Sequence, residues 1–413
     1  MQNGQLRVAV AGCGIAGLAA ALFLHRARHE VVVFEQAQTP VPAGSGLLLQ
    51  PPGMLVLQHL GVLNSALAAG QPVRRLYGRT RAGRAVMDIR YNDWLSGGFG
   101  LGIHRGVLWG LLYRAALNKG IAIRPGVHLE RVERADGRTS VIAGDGAQHG
   151  PFDLVIAADG ARSTLRKAHF SDATREYEWG ALWATLSQPD GWDAECLAQR
   201  YDTARTMMGV LPVGRDLKGQ GPDVTMFWSA RGVDLDAVRA DVAAWRNAAL
   251  ALWPEARPLV EQVTASEQLI PARYLDVRPA RWIADSLVLI GDAAHGTSPQ
   301  LGQGATLGLL DAFVLAAQLS APGELAPKLG AYVSLRRNHV HYYQWASRML
   351  TPFFQSDSGM LAWTRDTFFG LAGRLPISGN EFLATLVGAK TGVLFGRLDR
   401  GLRAPVPPPP LSQ

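Results

Sequence analysis

Cysteine and dense charge are both scarce in this chain. Only Cys13 and Cys196 occur among 413 residues, too few for a disulfide framework or a structural zinc site. We therefore predict no metal site and a reducing, cytoplasmic environment. Charged residues make up 18% of the chain and form no dense lysine or arginine run, so the net charge of +7 does not indicate a nucleic-acid partner.

Long apolar runs are also missing, apart from one stretch near the N-terminus. Residues 8–24 are nearly all apolar and include Cys13, an arrangement that resembles a signal peptide with a lipoprotein cleavage site. Three glycines at fixed spacing interrupt the stretch, and an acidic residue follows at a set distance. We therefore interpret it as part of a folded domain and expect neither a leader peptide nor a transmembrane helix.

Apolar residues are plentiful overall, at 48% of the chain, which is enough for a sizeable core in two or three domains. Residues 6–11 form a short apolar run, residues 15–27 are rich in alanine and leucine, and residues 30–36 are β-branched. This order predicts a strand, a helix and a second strand. Such a unit indicates a parallel sheet that is buried on both faces.

The turn of this unit carries a Gly-x-Gly-x-x-Gly motif. Its first glycine permits a tight turn, the second lets a pyrophosphate approach the backbone, and the third allows the helix to lie close to the sheet. Glu35 ends the second strand, where a carboxylate can accept hydrogen bonds from ribose hydroxyls. The sequence therefore predicts a dinucleotide site that includes Gly12, Gly14, Ile15, Ala16, Gly17 and Glu35.

Two further motifs follow short apolar runs, which we expect to be buried strands. Asp159 follows residues 152–158, and Asp292 follows residues 286–290. In an open α/β sheet, ligands bind outside the carboxyl ends of the strands. The loop from Pro299 through Gly302 then leads to Gly304, at the start of a predicted helix over residues 303–319 whose N-terminal end carries partial positive charge.

The three motifs, in this order, resemble those of the class A flavoprotein monooxygenases, the family of p-hydroxybenzoate hydroxylase and the ubiquinone-biosynthesis hydroxylases. The resemblance covers roughly residues 6–350. It implies that FAD is bound at the glycine motif and Glu35, with support from Asp159 and Asp292. It also implies that Arg105 pairs with FAD oxygens, and that Pro299, Gly302 and Gly304 lie beside the flavin ring. His295 is interpreted as structural, and no catalytic acid or base is assigned.

The resemblance further implies a reaction. NAD(P)H, bound only transiently, reduces FAD, and the reduced flavin reacts with O2 to give a C4a-hydroperoxide that hydroxylates the substrate. Three alternatives stay open: a reductase of the geranylgeranyl-reductase kind, a flavin-dependent halogenase, and a flavoprotein that only senses or sequesters a ligand. The halogenase signature Trp-x-Trp-x-Ile-Pro does not occur in the sequence.

The expected fold class is α/β, with a discontinuous Rossmann-like FAD-binding domain, a substrate domain built on a mixed or antiparallel sheet, and a helical C-terminal region. We assign residues 1–72, 98–172 and 275–330 to the FAD-binding domain, and residues 73–97 and 173–274 to the substrate domain. Residues 331–404 form the helical region. Residues 405–413, rich in proline, are expected to be a disordered tail.

The substrate domain has predicted strands rich in large apolar side chains and free of charge except at their ends. This composition favours a small, uncharged and apolar substrate, and the family resemblance implies that the substrate is aromatic. Because alternate side chains of a strand face opposite ways, only some of the large residues can line a pocket. The candidates are Trp183, Thr185, Met207, Leu211, Phe227 and Trp228.

The C-terminal region interleaves aromatic residues with arginines. This composition suits a lid over the site or a peripheral contact with the inner face of a membrane, whereas ordinary helix packing would also account for it. The residues are Tyr342, Tyr343, Trp345, Phe353, Phe354, Trp363, Phe368 and Phe369, with Arg336, Arg337, Arg348, Arg365 and Arg374.

Overall fold

The computed structural model describes residues 4–42, 44–135, 138–171, 174–216, 218–370, 376–393 and 396–398, and only the backbone of residues 376–378. The predicted tail and Arg374 lie outside these residues. The strands in chain order are β1 (Arg7–Ala11), β2 (Glu30–Glu35), β3 (Gly46–Leu49), β4 (Gln71–Val73), β5 (Arg75–Thr80), β6 (Ala85–Arg90), β7 (Gly100–His104), β8 (Ala122–Pro125), β9 (Leu129–Ala135), β10 (Arg138–Ala143), β11 (Gln148–Phe152), β12 (Leu154–Ala157), β13 (Arg175–Glu176), β14 (Trp179–Ser187), β15 (Cys196–Asp202), β16 (Thr206–Gly214), β17 (Asp223–Arg231), β18 (Ile270–Ala272), β19 (Leu275–Asp276), β20 (Ile283–Ala284) and β21 (Leu287–Leu289).

The helices connect these strands and form most of the C-terminal region. They are α1 (Ile15–Arg26), α2 (Pro51–Leu60), α3 (Leu63–Ala69), α4 (Arg105–Asn118), α5 (Thr164–His169), α6 (Leu235–Ala240), α7 (Val242–Leu252), α8 (Arg257–Val260), α9 (Asp292–His295), α10 (Gly304–Leu319), α11 (Leu325–Phe354), α12 (Gly359–Thr364) and α13 (Pro376–Leu386). Within the described residues, no helix is both long enough and apolar enough to cross a membrane.

A parallel sheet forms the first layer, with strand order β8-β2-β1-β12-β21 and the short β20 antiparallel at one edge. The apolar runs of β1 and β12 are almost wholly buried, because helix α1 and the antiparallel sheet β11-β10-β9 pack against the parallel sheet. The chain order reverses between β1 and β12. A crevice for a ligand therefore opens beyond the carboxyl ends of these two strands.

A mixed sheet forms the second layer, with strand order β18-β14-β17-β16-β15-β5-β6. Helices α6 to α8 cover one of its faces, where Met208, Trp228 and Trp245 belong to one buried apolar cluster. Its other face looks toward the parallel sheet. Helices α6 and α7 are separate, because the Asp241 side chain caps α7 by accepting a hydrogen bond from the Ala244 amide at 2.9 Å.

The C-terminal helices lie against both layers. Helix α11 packs along α10, and α13 returns toward the mixed sheet, where Leu383 and Leu386 join an apolar cluster with Leu76 and Leu211. The helical region begins at Leu325, slightly earlier than the sequence predicts. The predicted fold class is confirmed: a parallel α/β layer, a mixed sheet and a helical C-terminal region.

Candidate active site

A large cavity lies between the parallel sheet and the mixed sheet, with a volume of about 860 Å³. The loops after β1, β12 and β21 open into it, as the reversal of strand order requires. It brings together nearly all of the cofactor residues that the sequence predicts. The predicted residues that line it are Gly12, Gly14, Ile15, Ala16, Glu35, Arg105, Asp159, Asp292, Pro299, Gly302 and Gly304.

The glycine motif has three different environments. Gly12 has a φ of +101°, and a Cβ there would meet the carbonyl oxygen of Ala158 at 2.5 Å. A Cβ on Gly17 would overlap the carbonyl oxygen of Gly12, so Gly17 serves helix packing and does not line the cavity. A Cβ on Gly14 would meet nothing within 4 Å and would occupy the open crevice. Gly14 therefore leaves room for a pyrophosphate at the N-terminus of α1.

Glu35 secures the loop around this motif. Its carboxylate accepts hydrogen bonds from the backbone amides of Cys13 and Ala37, each at 2.9 Å. Burial, with the nearby Glu35 charge, raises the pKa of the Cys13 thiol to about 12, so this cysteine stays a neutral, unreactive thiol. Each carboxylate oxygen of Glu35 keeps a further lone pair for a ribose hydroxyl.

Asp159 supplies an unsatisfied buried acceptor beside the cavity. Its Oδ2 accepts hydrogen bonds from the Thr164 and Leu165 amides at 3.0 and 3.4 Å, whereas its Oδ1 is buried without a partner among the described residues. Burial raises the pKa of this carboxyl, although the surrounding donors oppose the shift. A cofactor hydroxyl would satisfy this oxygen, so the site fits a polyhydroxylated group such as the ribityl chain of FAD.

The loop from Pro299 to Gly304 forms the wall next to these acceptors. Pro299–Leu301 is one turn of 3-10 helix, and Gly302 then adopts a left-handed φ of +62°. A Cβ on Gly304 would lie 3.8 Å from Oδ1 of Asp292, which places Asp292 beside the N-terminus of α10. The free amides and partial positive charge of that helix end would stabilise negative charge on a reduced flavin ring.

Arg105 lies in the first turn of α4 and lines the same cavity. It is exposed, and it forms no ion pair with any carboxylate of the described residues. An unpaired guanidinium beside Gly44 can bind phosphate or ribityl oxygens. The geometry fits the FAD roles that the sequence predicts for these residues, and the individual roles stay predictions.

A buried ionic cluster supports the Asp292 loop from behind. Asp311 accepts hydrogen bonds from the Gly291 amide at 2.8 Å and from Arg336 at 2.7 Å, and it pairs with Nε2 of His295 at 2.5 Å. Burial favours the neutral form of Asp311, but His295 and Arg336 outweigh it and lower the pKa to about 2. His295 does not line the cavity, in keeping with the structural role predicted for it.

The second half of the cavity, which we call the substrate half, is lined by the mixed sheet and the C-terminal helices. It contains no aspartate, glutamate, lysine or arginine among the described lining residues. The half next to the ends of β1, β2, β12 and β21, which we call the cofactor half, contains all the charged lining residues of the described chain. Four predicted pocket residues line the substrate half, namely Trp183, Met207, Leu211 and Phe227. Trp183 and Phe227 are opposite one another on β14 and β17, with ring centroids 5.1 Å apart.

Two predicted pocket residues do not line the cavity. Trp228 follows Phe227 and therefore points to the opposite face, where its ring lies 6.4 Å from that of Trp245 beneath α7. Thr185 is on the same face as Trp183, but two residues farther along β14 it has passed the edge of the cavity and is exposed. Both assignments are corrected, because strand register and cavity extent cannot be derived from side-chain size.

Sequence reasoning missed several polar lining residues. Tyr274, Gln199 and Gln355 belong to no motif and come from separate segments of the chain. Gln355 accepts a hydrogen bond from Gln300 at 2.9 Å, which ties the end of α11 to the loop from Pro299 to Gly304. No sequence signal marks these residues, since only the fold brings them to the cavity.

The C-terminal aromatic and basic residues are used mainly for packing. Arg336 and Tyr343 are buried, and Arg365 is fully buried over the rings of Tyr201 and Phe354. Phe354, together with Phe382, Thr385 and Leu386, lines the substrate half. The alternation that the sequence displays therefore reflects helix packing over most of its length, and part of the region covers the cavity.

Comparison with known proteins gives the class of protein that the sequence motifs predict. The chain matches the family described as FAD binding domain over residues 5–341. It is 31% identical over 376 residues to 3-amino-4-hydroxybenzoate 2-monooxygenase of Streptomyces cremeus, covering 89% of this chain and 92% of that protein. It is 26% identical over 379 residues to aurachin C monooxygenase/isomerase of Stigmatella aurantiaca, covering 87% of this chain and 93% of that protein.

Solved structures agree with the fold. The structure of Klebsiella pneumoniae HpxO complexed with FAD and uric acid gives a TM-score of 0.79 at 21% identity, covering 94% of this chain and 98% of that one. The chain therefore belongs to the FAD-binding-domain family. Within that family it is an FAD-dependent aromatic monooxygenase of class A, as the sequence motifs predict.

Proposed function

We propose that the protein uses NAD(P)H and O2 to hydroxylate a small, uncharged, largely apolar aromatic compound. The observation that carries this proposal is the distribution of charge in the cavity. All its charged lining residues among those described belong to the cofactor half, namely Glu35, Arg105, Asp159, Arg162 and Asp292. A carboxylate placed in the substrate half would lose its hydration without gaining a cationic partner.

FAD, when bound, supplies the redox chemistry, accepting a hydride and activating oxygen. The protein supplies position and surroundings. The N-terminus of α10 lies where it can stabilise negative charge on the cofactor ring. Met207, Leu211 and Phe227 line the adjoining space with apolar surface, which excludes water and positions an aromatic ring by contact.

The relatives differ in the compounds that their names give, a substrate in one case and a product in the other. One is a monooxygenase of 3-amino-4-hydroxybenzoate, and another is 2-heptyl-3-hydroxy-4(1H)-quinolone synthase of Pseudomonas aeruginosa, 26% identical over 383 residues. The uncharged substrate half supports an uncharged ring compound, such as a quinolone, over a benzoate. A reductase of the geranylgeranyl-reductase kind, a halogenase and a ligand-sequestering flavoprotein are not favoured, since the relatives are named as monooxygenases and hydroxylases.

Matched pairs of compounds test the substrate class. The purified, FAD-loaded protein is mixed with NADPH or NADH and with phenols, quinolones and quinone precursors, each beside its carboxylated counterpart. We expect the neutral member of a pair to stimulate nicotinamide oxidation and to gain one oxygen atom by mass spectrometry. Stimulation by the carboxylated members alone would contradict the proposal.

We also propose a peripheral membrane contact through the exposed apolar residues of α12 and the turn that follows it. Met360 is 73% exposed, Trp363 61% and Phe368 49%. Aromatic side chains of this kind favour the membrane interface. Sedimentation with anionic lipid vesicles at low salt tests the contact: we expect binding that Trp363→Ala weakens, and a protein that stays wholly in the supernatant contradicts it.

A further inference from the structure

Tyr274 lies between β18 and β19 and lines the substrate half of the cavity. Its hydroxyl oxygen accepts a hydrogen bond from the indole nitrogen Nε1 of Trp183 at 2.9 Å. Trp183 is itself held in place from two sides, by its contact with the ring of Phe227 and by the pairing of β14 with β18. The phenol is therefore fixed by a rigid neighbour.

The direction of this hydrogen bond is determined by chemistry. An indole N–H can only donate, so the oxygen of Tyr274 must act as the acceptor. The hydroxyl proton of Tyr274 remains, and no acceptor among the described residues lies within hydrogen-bonding distance of it. Burial raises the pKa of Tyr274, which keeps the phenol protonated across the physiological range. The side chain is thus a neutral donor without a protein acceptor.

The other polar side chains nearby are already engaged. Gln355 accepts from Gln300 and donates to the carbonyl oxygen of Gly180 at 3.4 Å, and Thr385 donates to the carbonyl oxygen of Glu381 at 2.8 Å. Gln199 accepts a hydrogen bond from Tyr201 and lies on β15, four strand spacings from β18, or roughly 19 Å at the usual strand separation. At the β14–β18 end, Tyr274 therefore offers a hydroxyl proton that has no acceptor among the described residues and is available to a ligand.

We propose that Tyr274 determines specificity by donating a hydrogen bond to an oxygen or nitrogen acceptor on the substrate ring, and that Trp183 orients this hydroxyl as a positioning residue. The proposal rests on the proposed function for the identity of the substrate half. It adds a chemical requirement to it: the uncharged ring must carry an acceptor, such as a carbonyl group, on the edge that faces β14 and β18.

The test compares two ligands that differ only in the acceptor. The probes are 1-tetralone, which carries a carbonyl group, and tetralin, which does not. Their dissociation constants are measured from the change in flavin absorbance of the FAD-loaded protein, without NAD(P)H. We expect the wild-type protein to bind 1-tetralone about 2- to 13-fold more tightly than tetralin, the range given by one net hydrogen bond. Tyr274→Phe should bind 1-tetralone no more tightly than tetralin, because the carbonyl then loses its hydration without gaining a donor, while the affinity for tetralin stays unchanged.

Two further variants separate this role from a structural one. Tyr177→Phe also loses a hydroxyl, but Tyr177 does not itself line the cavity and its hydroxyl is paired with Thr297 at 3.3 Å, so this variant should keep the preference. Trp183→Phe keeps an aromatic ring but frees the phenol, and it should lose the preference while still binding tetralin. A preference that survives in Tyr274→Phe, or its absence from the wild-type protein, overturns the proposal. Because no turnover is measured, a preference without any oxygen uptake would leave this inference intact and reject only the proposed function.

Discussion

The two halves of the cavity are built in different ways. In the cofactor half, backbone amides, glycines and carboxylates from the ends of β1, β2, β12 and β21 surround the space, and their positions follow from short motifs. In the substrate half, side chains from distant strands and C-terminal helices meet without any motif. The first half is specified locally and can be recognised in a sequence, whereas the second depends on register, on which face of a strand is covered and on long-range packing.

The largest effect that we expect separates two glycines of one motif. Gly17→Ala places a Cβ against the carbonyl oxygen of Gly12 and should prevent stable folding, since the close approach of α1 and β1 cannot relax. Gly14→Ala meets open space, so the apoprotein should melt within about 1 °C of wild type, a shift that corresponds to about 0.9 kcal/mol for a chain of 413 residues. The same variant should nevertheless bind FAD at least about tenfold more weakly, because its Cβ occupies the crevice that the pyrophosphate needs. A tenfold loss of affinity corresponds to only about 1.4 kcal/mol.

Soluble expression, the melting temperature of the apoprotein and fluorescence titration with FAD measure these outcomes. If Gly14→Ala binds FAD as wild type does, the pyrophosphate does not pass over this residue.

The second comparison concerns the two faces of the mixed sheet. Trp228→Ala should lower the free energy of unfolding by about 3–5 kcal/mol, because it leaves a cavity under α7, without a change in substrate affinity. Trp183→Ala should instead weaken substrate binding about tenfold or more, while FAD stays bound and the free energy of unfolding changes less than in Trp228→Ala. The exposed Thr185→Ala is the matched control and should alter neither property.

Chemical denaturation and steady-state kinetics distinguish the two faces. Equal loss of substrate affinity in Trp228→Ala and Trp183→Ala would show that both side chains reach the pocket, contrary to the register described above.

The third prediction addresses the carboxylate at the end of β2. Glu35→Ala removes a charge-assisted hydrogen bond of about 1.5–3 kcal/mol to the ribose, so FAD affinity should fall roughly tenfold or more. Glu30→Ala on the same strand loses only an exposed ion pair with Arg7 and should bind FAD normally. Titration with FAD measures both, and wild-type affinity in Glu35→Ala would mean that the ribose assignment is wrong.

The smallest effect is a pH dependence of the buried cluster behind the cofactor loop. Burial and the neighbouring Arg336 hold the pKa of His339 well below its usual value, so below about pH 6.5 the unfolded chain binds a proton that the folded chain does not. Stability should therefore fall with decreasing pH there, by up to about 1.4 kcal/mol per pH unit from this residue. The stabilisation by Asp311 is complete above about pH 4 and is lost only as the pH falls toward 2.

His339→Gln isolates this contribution, because glutamine can still accept from Arg336 and donate to the carbonyl oxygen of Gly388. Its melting temperature should depend less on pH between 7 and 5 than that of the wild type, while the acid transition below pH 4 stays. Identical profiles for the two proteins would contradict the buried, neutral state of His339.

The sequence predicts the fold class and the cofactor half well, because strand, turn and helix of each motif are neighbours in the chain. Glu35, Asp159 and Asp292 come together only because parallel strands end at one edge, a rule that strand order supplies. The substrate half was predicted in part. Trp183 and Phe227 line it, but Trp228 does not, since the face that α7 covers cannot be read from β17 alone. No sequence motif marks Tyr274, because its proposed role depends on a hydrogen bond with Trp183, which is 91 residues away in the chain.

The most direct test of the central claim is the stoichiometry of oxygen consumption. An oxygen electrode and nicotinamide absorbance are followed together in the FAD-loaded protein with a compound that stimulates turnover, and the product is quantified. A monooxygenase consumes one O2 and one NAD(P)H for each hydroxylated product, and we expect these equal amounts. Nicotinamide oxidation that proceeds equally well without oxygen, with a reduced and not a hydroxylated product, would contradict the claim and indicate a reductase.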